Sequence, residues 1–274
     1  MGDLFSQNDI WKEVLENENS PLHKHLWLYS MLPSSPRCKL CYAPFGGAGG
    51  FVMRMVGRER SRMNPNMCGV CERMAKAHPG GAEVSLSLLF ADIRGSTSLA
   101  EKLGTGSFSD LIARFYNAAT DELIKADGLI DRLIGDEVIA LFVPALAGPR
   151  HAEAAVRAGE GILRATGHGE MEGPWVPVGA GVHTGSAFVG ALGASGVSDV
   201  TALGDDVNLT ARLASAASAG EILITEAARA GAGLATDGLE SRHLELKGRT
   251  EPVDVWVMRI GTGAATDGQS ISTT

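Results

Sequence analysis

Between residues 84 and 258 the apolar positions switch repeatedly between short runs and three-to-four-residue spacing, which predicts strands alternating with helices. Ser85–Phe90 (SLSLLF) predicts a short buried strand ending at Asp92. Ser98-x-x-Glu101 is a capping box that predicts a helix start, and Phe108, Leu111, Ile112 and Phe115 carry helical spacing to about Ala126. Leu129–Ile134 and Val138–Phe142 predict two strands joined by Gly135-Asp136, a dipeptide suited to a tight hairpin turn. A helix from Pro149 to about Ala165 follows, then a strand pair, Val176–Val182 and Ala187–Leu192, with His183 in the turn beside Gly185. The pattern ends with a helix at Asp206–Ala217 and strands at Glu221–Ile224, Leu244–Leu246 and Val253–Val257. Strand, helix, hairpin, helix, strand is the ferredoxin-like βαββαβ order of a two-layer α/β (α+β) domain.

Upstream the pattern changes. Ile10 to Met31 predicts an amphipathic helical stretch with Trp11, Val14, Leu15, Leu22 and Leu26 on one face, interrupted near Pro21. The chain therefore divides into a helical segment (1–35), a four-cysteine module (36–82), a long α/β domain (83–260) and a small polar tail (261–274) expected to be disordered. No apolar run approaches the roughly 18 residues that span a bilayer, and the acidic N-terminus lacks the order of a secretory signal. A soluble, cytoplasmic protein in a reducing compartment is expected. The net charge of −8 disfavours nucleic acid as the main partner, yet residues 36–78 carry a local +6, which leaves −14 on the rest.

Asp92 after a buried strand and Asp136 at a hairpin tip are placed where a scaffold can hold carboxylates at a hard divalent cation, and Mg²⁺ needs only one or two of them. From spacing alone Asp92 is equally a helix cap and Asp136 a turn residue. Gly95-Ser96-Thr97 opens a helix whose N–H groups could receive phosphate. Asn208 and Arg212, four apart, share a helix face, although such a pair is ordinarily just solvated, and Lys247 reads equally as an edge-strand charge. The P-loop, GxSxG and HExxH motifs are absent from the sequence.

Taken in order, four strings resemble the catalytic domain of class III adenylyl and guanylyl cyclases. They are residues 89–97 (LFADIRGST), 132–136 (RLIGD), 203–212 (LGDDVNLTAR), and Leu246-Lys247-Gly248 before Pro252-Val253. The resemblance covers about two thirds of the chain. It implies conversion of ATP to 3′,5′-cyclic AMP by two Mg²⁺ or Mn²⁺ ions at Asp92, Ile93 and Asp136. It further implies that Asn208 positions the ribose, Arg212 stabilises the transition state and Lys247 contacts the phosphates. In this family the two residue sets come from different subunits, which implies a homodimer with sites across a two-fold axis.

Arg132 and Thr201 match the positions that read the purine. Threonine can accept from the adenine amino group, whereas arginine departs from the usual lysine and its fork could also read guanine O6 and N7. ATP is the expected substrate and GTP the alternative. Cys38-x-x-Cys41 and Cys68-x-x-Cys71 use every cysteine and predict a four-thiolate site, for Zn²⁺ ahead of an iron–sulfur cluster, in a segment that reads as poor in core residues. That module is expected to take a regulatory input from a protein, a metal or redox state. It could otherwise be a structural cap, or a nucleic-acid or protein-binding module on a cyclase-like dimeric sensor.

Overall fold

The structure is a computed structural model describing residues 7–17, 28–29, 31–32, 36–61, 66–194, 197–246 and 251–261. Helices α1 (Gln7–Glu16), α2 (Gly47–Met55) and α3 (Gly69–Ala77) precede a long central strand, β1 (Gly80–Ile93). Then come α4 (Ser96–Lys125), β2 (Leu129–Ile134), β3 (Glu137–Phe142), α5 (Pro144–Ala147) and α6 (His151–Ala165). The chain continues through β4 (Val178–Ala194), β5 (Val197–Leu203), α7 (Asp205–Ala216), β6 (Glu221–Thr225), α8 (Glu226–Gly231), β7 (Glu240–Leu244) and β8 (Val253–Arg259).

The strands form one sheet in the order β2-β3-β1-β4-β6-β8-β7, with β5 paired to β4. β1 is antiparallel to both neighbours, and β4 to β6 is the parallel pairing. The β4-β1-β3-β2 half, with α4 and α6 as connections, is the expected βαββαβ unit. From Leu86 to Ala91 β1 is buried on both faces, whereas Glu83 and Ser85 nearer its start are exposed. Leu89, Ala91 and Ile93 pack with Phe115, Ala119 and Leu123 of α4 and Ile162 of α6. Leu86 and Leu88 point the other way and join Trp11, Leu15, Leu40, Tyr42 and the four cysteines.

That second cluster corrects the expectation of a core-poor cysteine segment. Trp11, Leu15, Leu40, Tyr42 and Met67 are all buried, and each such side chain contributes about 1.5–3 kcal/mol when removed from water. Trp11 donates from its indole nitrogen to the His78 carbonyl at 2.9 Å, and the Tyr42 hydroxyl donates to the Gly128 carbonyl across the boundary. Cysteine segment and sheet share one core.

Three further corrections concern elements. The two strands expected at Val176–Val182 and Ala187–Leu192 are one continuous strand beginning at Val178, because every position from Val178 to Ala191 pairs with β1 between Ile93 and Gly80. His183 is therefore in a strand, its Nδ1 2.9 Å from the Thr225 hydroxyl. The Ser98–Glu101 capping box does not start α4. The helix begins at Ser96 behind Gly95 in the left-handed region (φ 68°) and changes direction at Gly104. β5 and α8 were not expected from the pattern; β5 carries Asp199 and Thr201 among its apolar positions, and α8 is only 6 residues long. At the N-terminus, the expected Ile10–Met31 helix is seen as α1, while Pro21, Leu22 and Leu26 lie outside the described residues.

α7 lies directly on β4. A Cβ at Gly181 would come within 2.6 Å of the Ala214 amide nitrogen, so only glycine permits this approach. The close seat fixes how far α7, with Asn208 and Arg212, stands from the strand ends that carry the acids.

Candidate active site and cysteine centre

β1 and the β2–β3 hairpin bring the acids together. Asp92 lies opposite Glu137 in the antiparallel pairing of β1 with β3, and the Ile93 N–H donates to the Asp136 carbonyl at 3.1 Å. Asp92, Asp136 and Glu137 thus crowd one end of the sheet. Burial pushes Asp92 up to about 6, with Arg94 opposing and Asp136 adding to the rise. Burial, Asp92 and Asp136 push Glu137 up to about 7. Arg94 pairs with the Asp92 carboxylate and also donates to the Ser215 carbonyl at 2.8 Å, beneath the end of α7. Three carboxylates facing one guanidinium have an oxygen donor set and an excess of negative charge that fit a divalent cation. Glu137 was not singled out from the sequence, although its place beside Asp136 would have allowed it; Arg94 carried no signal of its role.

Gly95 supplies the turn into α4, leaving Ser96 half-buried and Thr97 exposed in its first turn. Anion contact there would come from backbone N–H groups.

The purine-position residues do meet. Arg132 on β2 donates to the Thr201 hydroxyl of β5, and that hydroxyl donates to Asp131 Oδ2 at 3.0 Å. Adjacent strand residues ordinarily point to opposite faces. A bulge in β2 between Ile130 and Arg132 relaxes the alternation and lets Asp131 and Arg132 reach the same threonine.

Asn208 and Arg212 sit on α7, exposed and half-buried respectively. Neither side chain bonds to Asp92 or Asp136 within this chain. Lys247 lies outside the described residues.

The cysteines converge: Cys38, Cys41, Cys68 and Cys71 are all buried with their sulfurs within 4.8 Å of one another. Cys41 and Cys68 sulfurs are 3.7 Å apart, too far for a disulfide and close to the roughly 3.8 Å edge of a tetrahedron with 2.3 Å metal–sulfur bonds. N–H groups point at the sulfurs, from the Cys68 amide to Cys38 at 3.2 Å and from the Arg58 guanidinium to Cys41 at 3.4 Å. Contacts among the sulfurs, led by those to Cys38, hold Cys68 down and push Cys41 and Cys71 up. Soft, buried, clustered donors fit a thiolate-bound metal.

The family model described as "Adenylate and Guanylate cyclase catalytic domain" matches residues 82–259. The crystal structure of the adenylyl cyclase CyaB from P. aeruginosa is 31% identical, with a TM-score of 0.55, over 64% of this chain and 93% of that one. The guanylyl cyclase Cya2 is 27% identical, with a TM-score of 0.57, over 69% and 98%. A terminal-differentiation-specific adenylate cyclase of Dictyostelium discoideum is 29% identical over 180 residues, which is 63% of this chain but only 8% of that protein. An uncharacterized Mycobacterium tuberculosis protein is 31% identical over 58% of this chain and 28% of its own length. The chain thus spans less than a third of these curated relatives. Among the described residues no helix is long and apolar enough to cross a membrane.

Proposed function

The chain belongs to the adenylate and guanylate cyclase catalytic-domain family, and from that premise we propose that it converts ATP to 3′,5′-cyclic AMP and pyrophosphate as a homodimer. The observation carrying this reading is the meeting of Asp92, Asp136 and Glu137 at one sheet end, apart from an Asn208 and Arg212 that bond to none of them. One chain holds the halves of a site without joining them. A two-fold partner would place the α7 of one subunit over the acids of the other.

Asp92, the Ile93 carbonyl and Asp136 would hold two Mg²⁺ or Mn²⁺ ions, which when bound supply Lewis acidity to the ribose 3′-hydroxyl and the leaving phosphates. Asn208 orients the ribose. The 3′-oxygen then bonds to the α-phosphorus, the bond from the α-phosphorus to the oxygen it shares with the β-phosphate breaks, pyrophosphate leaves with that oxygen, and the hydroxyl proton passes to solvent. Arg212 and Lys247 donate to the phosphoryl oxygens as charge builds on them. The first-turn N–H groups at Gly95-Ser96-Thr97 receive the triphosphate. Arg132 and Thr201 read the base, and a threonine oxygen that can accept favours the adenine amino group. GTP is the second reading, favoured by the fork of Arg132, which suits guanine O6 and N7.

The cysteine centre would hold Zn²⁺ through four thiolates, with Arg58 offsetting part of their charge. Its packing on β1 supports a structural and regulatory role rather than a separate binding module. Product formation tests the proposal: ATP with Mg²⁺ or Mn²⁺ should give cyclic AMP, lost in Asp92→Ala. Cyclic GMP from GTP alone would replace the substrate assignment, and no product from either nucleotide would overturn the activity.

A further inference from the structure

One of the two residues between Cys38 and Cys41 has an unusual destination. Lys39 leaves the Cys38–Cys41 knuckle and runs inward, its side chain only 6% exposed. Its ammonium donates to the Asp131 carbonyl at 3.1 Å and to Asp199 Oδ1 at 2.8 Å, and lies 3.6 Å from Asp131 Oδ1. Those partners are 92 and 160 residues away, on β2 and β5. They flank Arg132 and Thr201. The cysteine segment therefore drives a buried cation into the ground beneath the purine-position residues.

The chemistry of the Thr201 hydroxyl explains why that matters. A hydroxyl has one proton to give and two lone pairs to receive with. Here the proton goes to Asp131 Oδ2 at 3.0 Å. Asp131 is nearly buried, and a carboxylate there keeps its charge only if cations face it. Lys39 on one side and Arg132 Nε, 3.5 Å from Oδ2, on the other are those cations. With its proton committed to Asp131 Oδ2, Thr201 can meet an incoming base only as an acceptor. An acceptor suits the amino group at position 6 of adenine and repels the carbonyl oxygen at position 6 of guanine. Lys39, Asp131 and Arg132 also line a cavity of about 370 Å³ between the cysteine segment and α4, which gives Arg132 room to leave Thr201 when a base arrives.

We propose that Lys39 and Asp131 are positioning residues that fix the polarity of the Thr201 hydroxyl, so that the four-cysteine segment takes part in selecting adenine over guanine. The inference rests on the cyclase reading above for the location of the base. It adds two residues outside the purine-reading pair and gives the cysteine segment a place in specificity.

Binding of 3′-deoxy-ATP and 3′-deoxy-GTP to the full chain, by calorimetry with Mn²⁺, tests it without involving turnover, because both nucleotides lack the attacking hydroxyl. The wild type should prefer the adenine nucleotide. In Asp131→Asn the amide can turn its NH₂ toward Thr201, freeing the hydroxyl proton for a guanine oxygen, and the adenine preference should fall roughly tenfold, the scale of one reversed hydrogen bond. Lys39 keeps Asp199 as partner in that variant, so no buried charge is stranded. Lys39→Met combined with Asp131→Asn removes both charges at similar volume and should show the same loss of preference, with melting temperature and bound metal as folding controls. An unchanged ratio in both variants, or equal weakening for both nucleotides, would overturn the inference and leave a merely structural role. A wild type that binds neither nucleotide would instead defeat the cyclase reading, and this inference with it.

Discussion

The two ligand centres of this chain are built on opposite principles. The cysteine centre is closed: four buried sulfurs come from one chain, N–H groups already point at them, and the surrounding side chains belong to a packed core. The carboxylate centre is open: burial first and then neighbouring carboxylates push Asp92 and Glu137 up, Asp136 acting on both and Asp92 on Glu137, and the cation facing them is Arg94. A closed donor set suits a metal that stays and holds a fold together, whereas an open and under-neutralised one suits cations that arrive with a substrate.

The largest expected effect breaks the open centre. Asp92→Ala and Asn208→Ala should each lower product formation roughly 10³-fold, the scale for losing an essential group. If the halves of the site come from different chains, mixing the two variants should restore about a quarter of wild-type turnover through mixed dimers with one intact site. No recovery on mixing, with exchange of subunits shown independently, would place both halves within one chain.

Breaking the closed centre should act on stability instead. Removing the metal with a strong chelator, or Cys68→Ser, should release one metal ion per chain and lower the melting temperature by at least about 5 °C, since thiolate-bound zinc contributes directly to folding. Because Leu86, Leu88 and Val189 share a core with the cysteines, the whole domain should melt with the segment in a single transition.

A smaller effect concerns the helix that carries Asn208 and Arg212. Gly181→Ala would set a methyl 2.6 Å from the Ala214 nitrogen and force α7 off the sheet. It should cost about 1–3 kcal/mol in denaturant unfolding, and turnover should fall more than stability accounts for, since the helix moves without unfolding.

The smallest effect sharpens the contrast with a carboxylate that is satisfied. Glu221 on β6 accepts from Arg242 at 2.9 and 3.0 Å and from Arg259 at 3.1 Å, and hydrogen bonds from Arg242 hold it down to about 2. A carboxyl whose folded pKa lies below its unfolded value stabilises above the unfolded value, here about 4.5, and loses that contribution as pH falls through the folded one. With its arginine partners partly exposed, solvent screening discounts that shift, and Glu221→Gln should cost about 1 kcal/mol at pH 7. The gap between wild type and variant should shrink as pH drops from about 4.5 toward 2. A gap independent of pH would mean that shape rather than charge holds the group.

The sequence by itself determined the βαββαβ order from β1 to β4, the hairpin turn at Gly135-Asp136, and the spacings that put Asn208 and Arg212 on one helix face and paired the cysteines in two knuckles. These are local signals, since periodicity and turn chemistry act over a few residues. Locality also produced the errors. The His183-Thr184-Gly185-Ser186 stretch is polar and glycine-bearing, as a turn would be, but pairing with β1 along its whole length keeps it extended. Only the tertiary structure decided that Leu40 and Tyr42 would complete the core beside β1, that Arg94 would face Asp92, and that Lys39 would reach Asp131 and Asp199. Such contacts join residues far apart in the chain, and their partners are chosen by which faces the packed sheet and helices leave for one another.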